Sequence, residues 1–294
     1  MQQSYTTSLT TTQWEGIEKL IHVQRKSIWP LRLVVEAIFY LTKNNVTWRD
    51  LPKEYPCWQT LYWYFRKWAG DGTWELIANE LTLLHRIKND KRPLPTVAII
   101  DSQSVKNTAT ATAQIGIDGG KLIKGRKRTL LVDTMGHILG IQVGPANQHD
   151  SKTGLQLWQE VQLLNPVVEE VELIYADSTF GGAFKQQVEA TLAVQVVITR
   201  SPIQEQPPDS NMVIHKWRWI VERTLAWLNH NRRLAKDFER TILSAKKVFE
   251  LIYLVSKCVF SATASLLFRP VAAGYAPQKC LPSLKNPSFS SSKN

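Results

Sequence analysis

Apolar positions along this chain change their pattern near Thr96, and the change divides it. From Leu9 to Ile87 they recur every three to four residues, the spacing of helices packed on one side. Trp14, Ile17, Leu20 and Ile21 predict a helix within Leu9–Val23, with Thr10 to Thr12 as N-cap candidates. A second begins near Pro30 and runs through Val34 to Leu41, and a third spans Cys57–Trp68 and is closed by Gly70. A fourth runs from Thr73 to Ile87. The tight connector from Asn44 to Pro52 before the third makes a helix-turn-helix-like module, and Lys88–Pro95, charged and bearing prolines, is expected to end it.

From Thr96 onward short β-branched runs alternate with helical ones, so the class is α/β. Strands are expected at Thr96–Asp101, Lys121–Asp133, Ile138–Gly144, Val171–Asp177 and Val194–Thr199, the second and third forming a hairpin through Thr134–His137. Helices are expected at Ser151–Leu164, Ala183–Leu192, Lys216–His230 and Leu243–Phe268, with loops at Asn107–Gly120 and Ser201–Asn211. The expected organisation is a helical N-terminal DNA-binding domain at 1–92, a catalytic domain at 96–268 and a loose Pro/Ser/Lys-rich tail at 269–294.

Composition narrows the partner. The chain has 294 residues, 44% hydrophobic, with a formal net charge of +11, so a sizeable core comes with a surface that attracts polyanions. Cys57, Cys258 and Cys280 form no CxxC pair, which fits a reducing, cytoplasmic setting and argues against a disulfide framework or a zinc site. Glu250 and Lys257 interrupt the most apolar run, Val248–Phe268, so it reads as a core helix and not a membrane span.

Two of the strands stop on a carboxylate, delivering Asp101 and Asp177 to their C-terminal ends, and a third acid, Glu222, lies on the helix that follows. Hard divalent cations such as Mg²⁺ (or Mn²⁺) take carboxylate oxygens, and two such ions serve an in-line phosphoryl displacement. In that scheme Asp101 bridges both ions while Asp177 and Glu222 each hold one. On a helical wheel Arg218, Ala226, Asn229, Arg233 and Lys236 fall within about 40° of Glu222, and Ile220, Thr224, Trp227, Asn231 and Leu234 fall opposite. Alternation places Lys124, Arg126 and Arg128 on one side of their strand, a row expected to hold DNA phosphates together with Arg218 and Arg233. On the third helix Gln59, Tyr62, Arg66 and Lys67 are expected to face DNA while Leu61, Phe65 and Trp68 pack inward. Asp150, after His149, is expected in a turn or as an N-cap.

Several motifs together resemble the DDE transposases of bacterial insertion sequences, in the group named after insertion sequence five. They are Ala176-Asp-Ser-Thr-Phe-Gly-Gly182, Gly125-Arg-Lys-Arg128 followed by Leu131-Val-Asp-Thr134, and Arg218-Trp-Ile-Val-Glu-Arg-Thr-Leu-Ala-Trp-Leu-Asn229. The first third adds Gln13-Trp14, Ala37 to Leu41, Trp48 to Pro52, Trp58-Gln-Thr60 and Asp71 to Glu75. The resemblance implies an RNase H-like catalytic domain, divalent metal, and cutting and rejoining of the element's own terminal inverted repeats, by a homodimer assembled on double-stranded DNA. Carried over by motif, the acids are Asp101, Asp177 and Glu222. The chain departs from that group where a tyrosine and a basic residue are usual, having His215 and Asn229, with Arg232 and Arg233 nearby to stand in for the latter. Other classes left open are a non-catalytic DNA-binding repressor and a nuclease that cuts without joining.

Overall fold

The computed structural model describes residues 5–21, 28–191, 194–199 and 208–260; within these ranges the side chains of 191, 208–216, 218, 259 and 260 lie outside the described set. The first helices form much as the periodicity predicts: α1 (Thr11–Glu18), α2 (Leu31–Asn44), α3 (Trp58–Gly70) and α4 (Thr73–Lys88). Local chemistry sets their ends. Thr10 and Gln13 close a capping box on α1, Asn45 ends α2 in the left-handed region, and Asp71 accepts from the Thr73 N–H and hydroxyl at the start of α4.

The α/β region follows as β1 (Val97–Lys106), β2 (Gly116–Asp118), β3 (Ile123–Asp133), β4 (Ile138–Pro145), α5 (Asp150–Leu164), β5 (Leu173–Asp177), α6 (Ala183–Thr191), β6 (Gln195–Thr199), α7 (Pro208–Asn229) and α8 (Ile242–Val255). One mixed sheet has the order β2-β3-β1-β5-β6, with β4 also on β3. β1 is antiparallel to β3 and parallel to β5, which is parallel to β6. Alternation along β1 then serves two layers. Ala98 and Ile100 join Leu157, Trp158, Phe180 and Phe184 on the side of α5 and α6, while Ile99 joins Leu130, Val132, Val221, Phe249 and Ile252 on the side of α7 and α8. This is the expected RNase H-like arrangement of a mixed sheet between helices.

Several expectations change. β2 and the start of α7 at Pro208 fall within the segments expected as loops, Asn107–Gly120 and Ser201–Asn211. β1 does not stop at Asp101 but continues to Lys106, because β3 is long enough to pair with it as far as Gly125. The Lys88–Pro95 segment also fails to separate one core from another. Val34, Phe39, Leu61, Trp68, Trp74 and Leu81 of the N-terminal helices belong to the same apolar cluster as α8 and one face of the sheet. Polar contacts cross the join as well: Arg86 meets Asp133 at 2.5 Å, His85 Nδ1 meets His137 Nε2 at 2.8 Å, and Gln13 donates to the Cys258 carbonyl at 2.6 Å. α8 passes into a π-helical turn at Ser256–Phe260, and the remainder of the helix expected to Phe268 lies outside the described residues, as does the tail. Among the described residues no helix is long and apolar enough to cross a membrane.

Candidate active site

Register brings the first two acids together. β1 and β5 pair in parallel from Val97 opposite Leu173 to Ile100 opposite Ala176, so the next residue on each strand is an aspartate. Period-2 alternation points Asp101 and Asp177 to the same face as Ile99 and Tyr175, the face that α7 covers. The two aspartates line one small cleft with Tyr175, Thr199 and Val221. Asp101 Oδ1 accepts from the Ser102 N–H at 2.7 Å. Asp177 caps the 3₁₀ turn that follows β5, its Oδ1 accepting from the Thr179 N–H at 2.9 Å and the Thr179 hydroxyl at 2.5 Å.

α7 is seated by its own apolar phase. Ile220, Val221, Thr224, Leu225 and Leu228 are buried, Trp217 stacks on Tyr175 with ring centroids 5.4 Å apart, and Thr224 donates to the Gly136 carbonyl at 3.2 Å. Gly136 sits at φ +87 and has no room for a Cβ, which would lie 2.7 Å from the Thr224 hydroxyl; the glycine lets the helix rest on the β3–β4 turn. This phase leaves Glu222 exposed, one residue along from Val221 in the cleft. The helix is over the right strands, yet among the described residues no three Asp, Glu, His or Cys side chains are gathered as a metal group. Two carboxylates at one cleft suit a hard cation in donor chemistry, and Glu222 lies on the helix that covers the same face.

The expected cationic residues fare unequally. Arg126 is fully buried, bonded to Asp237 at 3.0 Å and to the carbonyls of Ala113 and Glu239 at 2.7 and 2.8 Å. Arg128 is buried too, donating to the Leu234 carbonyl at 2.9 Å with its guanidinium over the Phe249 ring. Burial pushes it down to about 10 against the pull of Asp237. These two are therefore sealed from solvent and do not form the exposed row expected, because β3 lies inside the sheet with helices on both faces; of the row, Lys124 alone is exposed. Arg233 is corrected as well. α7 ends at Asn229, so the wheel does not extend to it, and it pairs with Glu239 at 2.6 Å and donates to the Val46 carbonyl. Trp227, expected on the far face, is 57% exposed and with Trp219 brackets the Arg223 guanidinium at 4.7 and 4.6 Å. Arg218 lies outside the described side chains.

On α3 the expected division is found: Leu61, Phe65 and Trp68 are buried, while Gln59, Tyr62, Trp63 and Arg66 are exposed and Lys67 half-buried. Arg66 lies 6.0 Å from the Tyr62 ring centroid and Lys67 5.4 Å from that of Trp63, so the face is aromatic and cationic together.

The sequence pattern did not single out Lys127. Alternation sends it to the α5 side, opposite Arg126 and Arg128, where it pairs with Asp150 at 2.7 Å. His149, not Asp150, caps α5, its Nδ1 accepting from the Ser151 N–H at 3.2 Å. Burial pushes the Asp150 carboxyl up, but bonds from Lys127, Ser102 and Thr179 outweigh it and hold the group below the usual carboxylate range.

Two family models match the chain. Residues 92–249, more than half of the chain, match the family described as "Transposase DDE domain", and residues 9–78 match one described as "Putative transposase of IS4/5 family". A protein from Burkholderia cepacia described as "Putative transposase for insertion sequence element IS402" is 27% identical over 120 residues, 40% of this chain and 54% of that relative. The match thus spans about half the relative's length.

Proposed function

Because the chain belongs to the transposase DDE domain family, we propose that it cuts and rejoins the terminal inverted repeats of its own insertion sequence. The observation that carries the reading is the register of β1 on β5, which sets Asp101 and Asp177 side by side at one cleft under α7. The reaction is an in-line displacement at phosphorus, with water as nucleophile for cleavage and a DNA 3′-hydroxyl for joining. Asp101 and Asp177, with Glu222 from α7, are the residues that would hold Mg²⁺ or Mn²⁺, two ions in this scheme. Bound there, the metal supplies activation of the attacking oxygen and neutralisation of charge on the leaving one.

The chain's own contribution is placement. The parallel pairing fixes the two aspartates on rigid strands, and the Trp217–Tyr175 stack and the Thr224–Gly136 bond hold α7 over them. Arg66, Lys67 and Lys124, with Arg218, contact DNA phosphates on a chain of net charge +11. Joining two element ends calls for two chains, so the working assembly is a homodimer on double-stranded DNA.

The test is incubation with linear DNA carrying the element's ends in Mg²⁺. The full-length chain is expected to give cleaved and joined products, and Asp101→Asn, Asp177→Asn and Glu222→Gln to lose both while still binding the ends. Cleaved ends without joined product would make the protein a nuclease. An acid variant with near wild-type cleavage would remove that residue from the site.

A further inference from the structure

The turn that joins β2 to β3 puts its left-handed residue in an unexpected place. Gly119 and Gly120 stand side by side in it, yet neither adopts a positive φ; Leu122 does, at φ +53. A residue with a Cβ is disfavoured there, and the other non-glycine residues with positive φ among those described are the polar Asn45, Asp90 and Gln114. Asp118 holds the turn in this shape, its carboxylate accepting from the Ser104 hydroxyl and from the N–H groups of Gly120 and Lys121 at 3.1 Å each. Leu122 gains no burial in return, being 83% exposed, and Ile117 of β2 is 58% exposed.

The fold does not explain the two glycines either. A Cβ added at Gly119 would meet nothing within 4 Å, and one at Gly120 only ordinary contact with Asp118. Bare backbone of this kind suits a partner that comes close. The charges say which partner: Lys121 and Lys124 are exposed, while Asp118, the one acid from Gln114 to Arg128, is taken up by the turn's own bonds. Ile117 lies directly opposite Lys124, and alternation along β3 from Leu130, the partner of Asp101, sets both on the Asp101 face of the sheet. From Leu130 to Lys124 the strand spans about 20 Å at ~3.4 Å per residue, the length of about six base pairs.

We propose that the β2–β3 turn is a DNA-kinking wedge, in which Leu122 enters between two base pairs from the minor groove while Lys121 and Lys124 hold the neighbouring phosphates. The proposal rests on the reading that this chain acts on duplex DNA. Apolar side chains inserted at a base step unstack it and bend the duplex, and the narrow, glycine-built tip lets the backbone follow the leucine into the groove. Because unstacking opposes insertion, a step that is already mispaired accepts the wedge more readily than a matched one.

The experiment gives the full-length chain, without divalent metal, a duplex dye-labelled at its two ends and the same duplex carrying a central mismatch. The unmodified chain is expected to raise energy transfer between the dyes and to bind the mismatched duplex about tenfold more tightly than the matched one. Leu122→Gly is expected to lose the bend and the preference, yet to melt no lower than the unmodified chain, since glycine adopts φ +53 without strain. Lys124→Ala is expected to weaken binding to both duplexes alike and to keep the preference. If Leu122→Gly bends DNA as the unmodified chain does, or melts distinctly lower, or instead loses self-association, the leucine serves something other than DNA and the wedge is overturned. If the unmodified chain binds duplex without bending it, the wedge is overturned and the DNA reading stands. If it binds neither duplex, the DNA reading fails and takes this inference with it.

Discussion

Arg126 Nη1 lies 3.0 Å from Asp237 Oδ2, and the two side chains are 0% and 2% exposed. The same guanidinium also ties the carbonyls of Ala113, Glu239 and Arg240 to β3, so it braces the loop that leads into α8. Removing one partner strands a buried charge, which costs about 3–5 kcal/mol. Arg126→Met is expected to lower stability by that order in urea unfolding and to leave the salt dependence of DNA binding unaltered in protein that remains folded. A salt slope flatter by about 0.9 at unchanged stability would instead put Arg126 on a phosphate.

Lys257 makes stability depend on pH. It is buried beside Thr82, to which it donates at 2.8 Å, and desolvation pulls it down to about 7 although Asp133 opposes the shift. Between that value and the ordinary lysine range near 10.4, the unfolded chain holds a proton that the folded chain has released, so stability rises as pH rises. One proton gives a slope of at most about 1.4 kcal/mol per pH unit. Unfolding free energies at pH 7 to 9 are expected to climb for the wild type and to show a flatter profile for Lys257→Met. Equal slopes for the two proteins would contradict the assignment.

The cationic and aromatic face of α3 should act on DNA through charge. Arg66→Ala combined with Lys67→Ala is expected to weaken binding to the element's ends and to reduce the log–log salt slope by about 0.9 per lost phosphate contact. Neither residue is buried, so the unfolding free energy should stay within about 0.5 kcal/mol of the wild type. Unchanged affinity at low salt would take this face out of the DNA path.

An isolated fragment of residues 1–92 is expected to lack a cooperative thermal transition. It would separate α2 and α4 from α8 and leave Arg86 without Asp133, exposing apolar surface that the whole chain covers. A sharp melt together with protection of terminal DNA by the fragment would show that the N-terminal helices are a domain after all.

The arrangement of the candidate site was partly legible in the chain. Apolar period placed α2, α3, α4 and β5 to within a few residues, because a helix or strand with one buried side writes that side into its own sequence. The same rule picked out Asp101 and Asp177 as a matched pair and set Leu61, Phe65 and Trp68 inward on α3.

Period, however, reports which residues share a side and not what stands against that side. Arg126 and Arg128 do share a face of β3, as alternation requires, but the tertiary structure covers it with Asp237, Leu234 and Phe249 from the far end of the chain. Lys127 met Asp150, and Arg86 met Asp133, only because strands and helices distant in sequence were brought into contact. The continuation of β1 past Asp101 was decided likewise, by the length of β3 available to pair with it. The sequence by itself determined most of the helices and core strands, their inward faces and the two aspartates at matching strand positions. Which charges stay exposed and which are sealed in the core was decided by the packing, since a buried ion pair depends on non-local partners that no local pattern encodes.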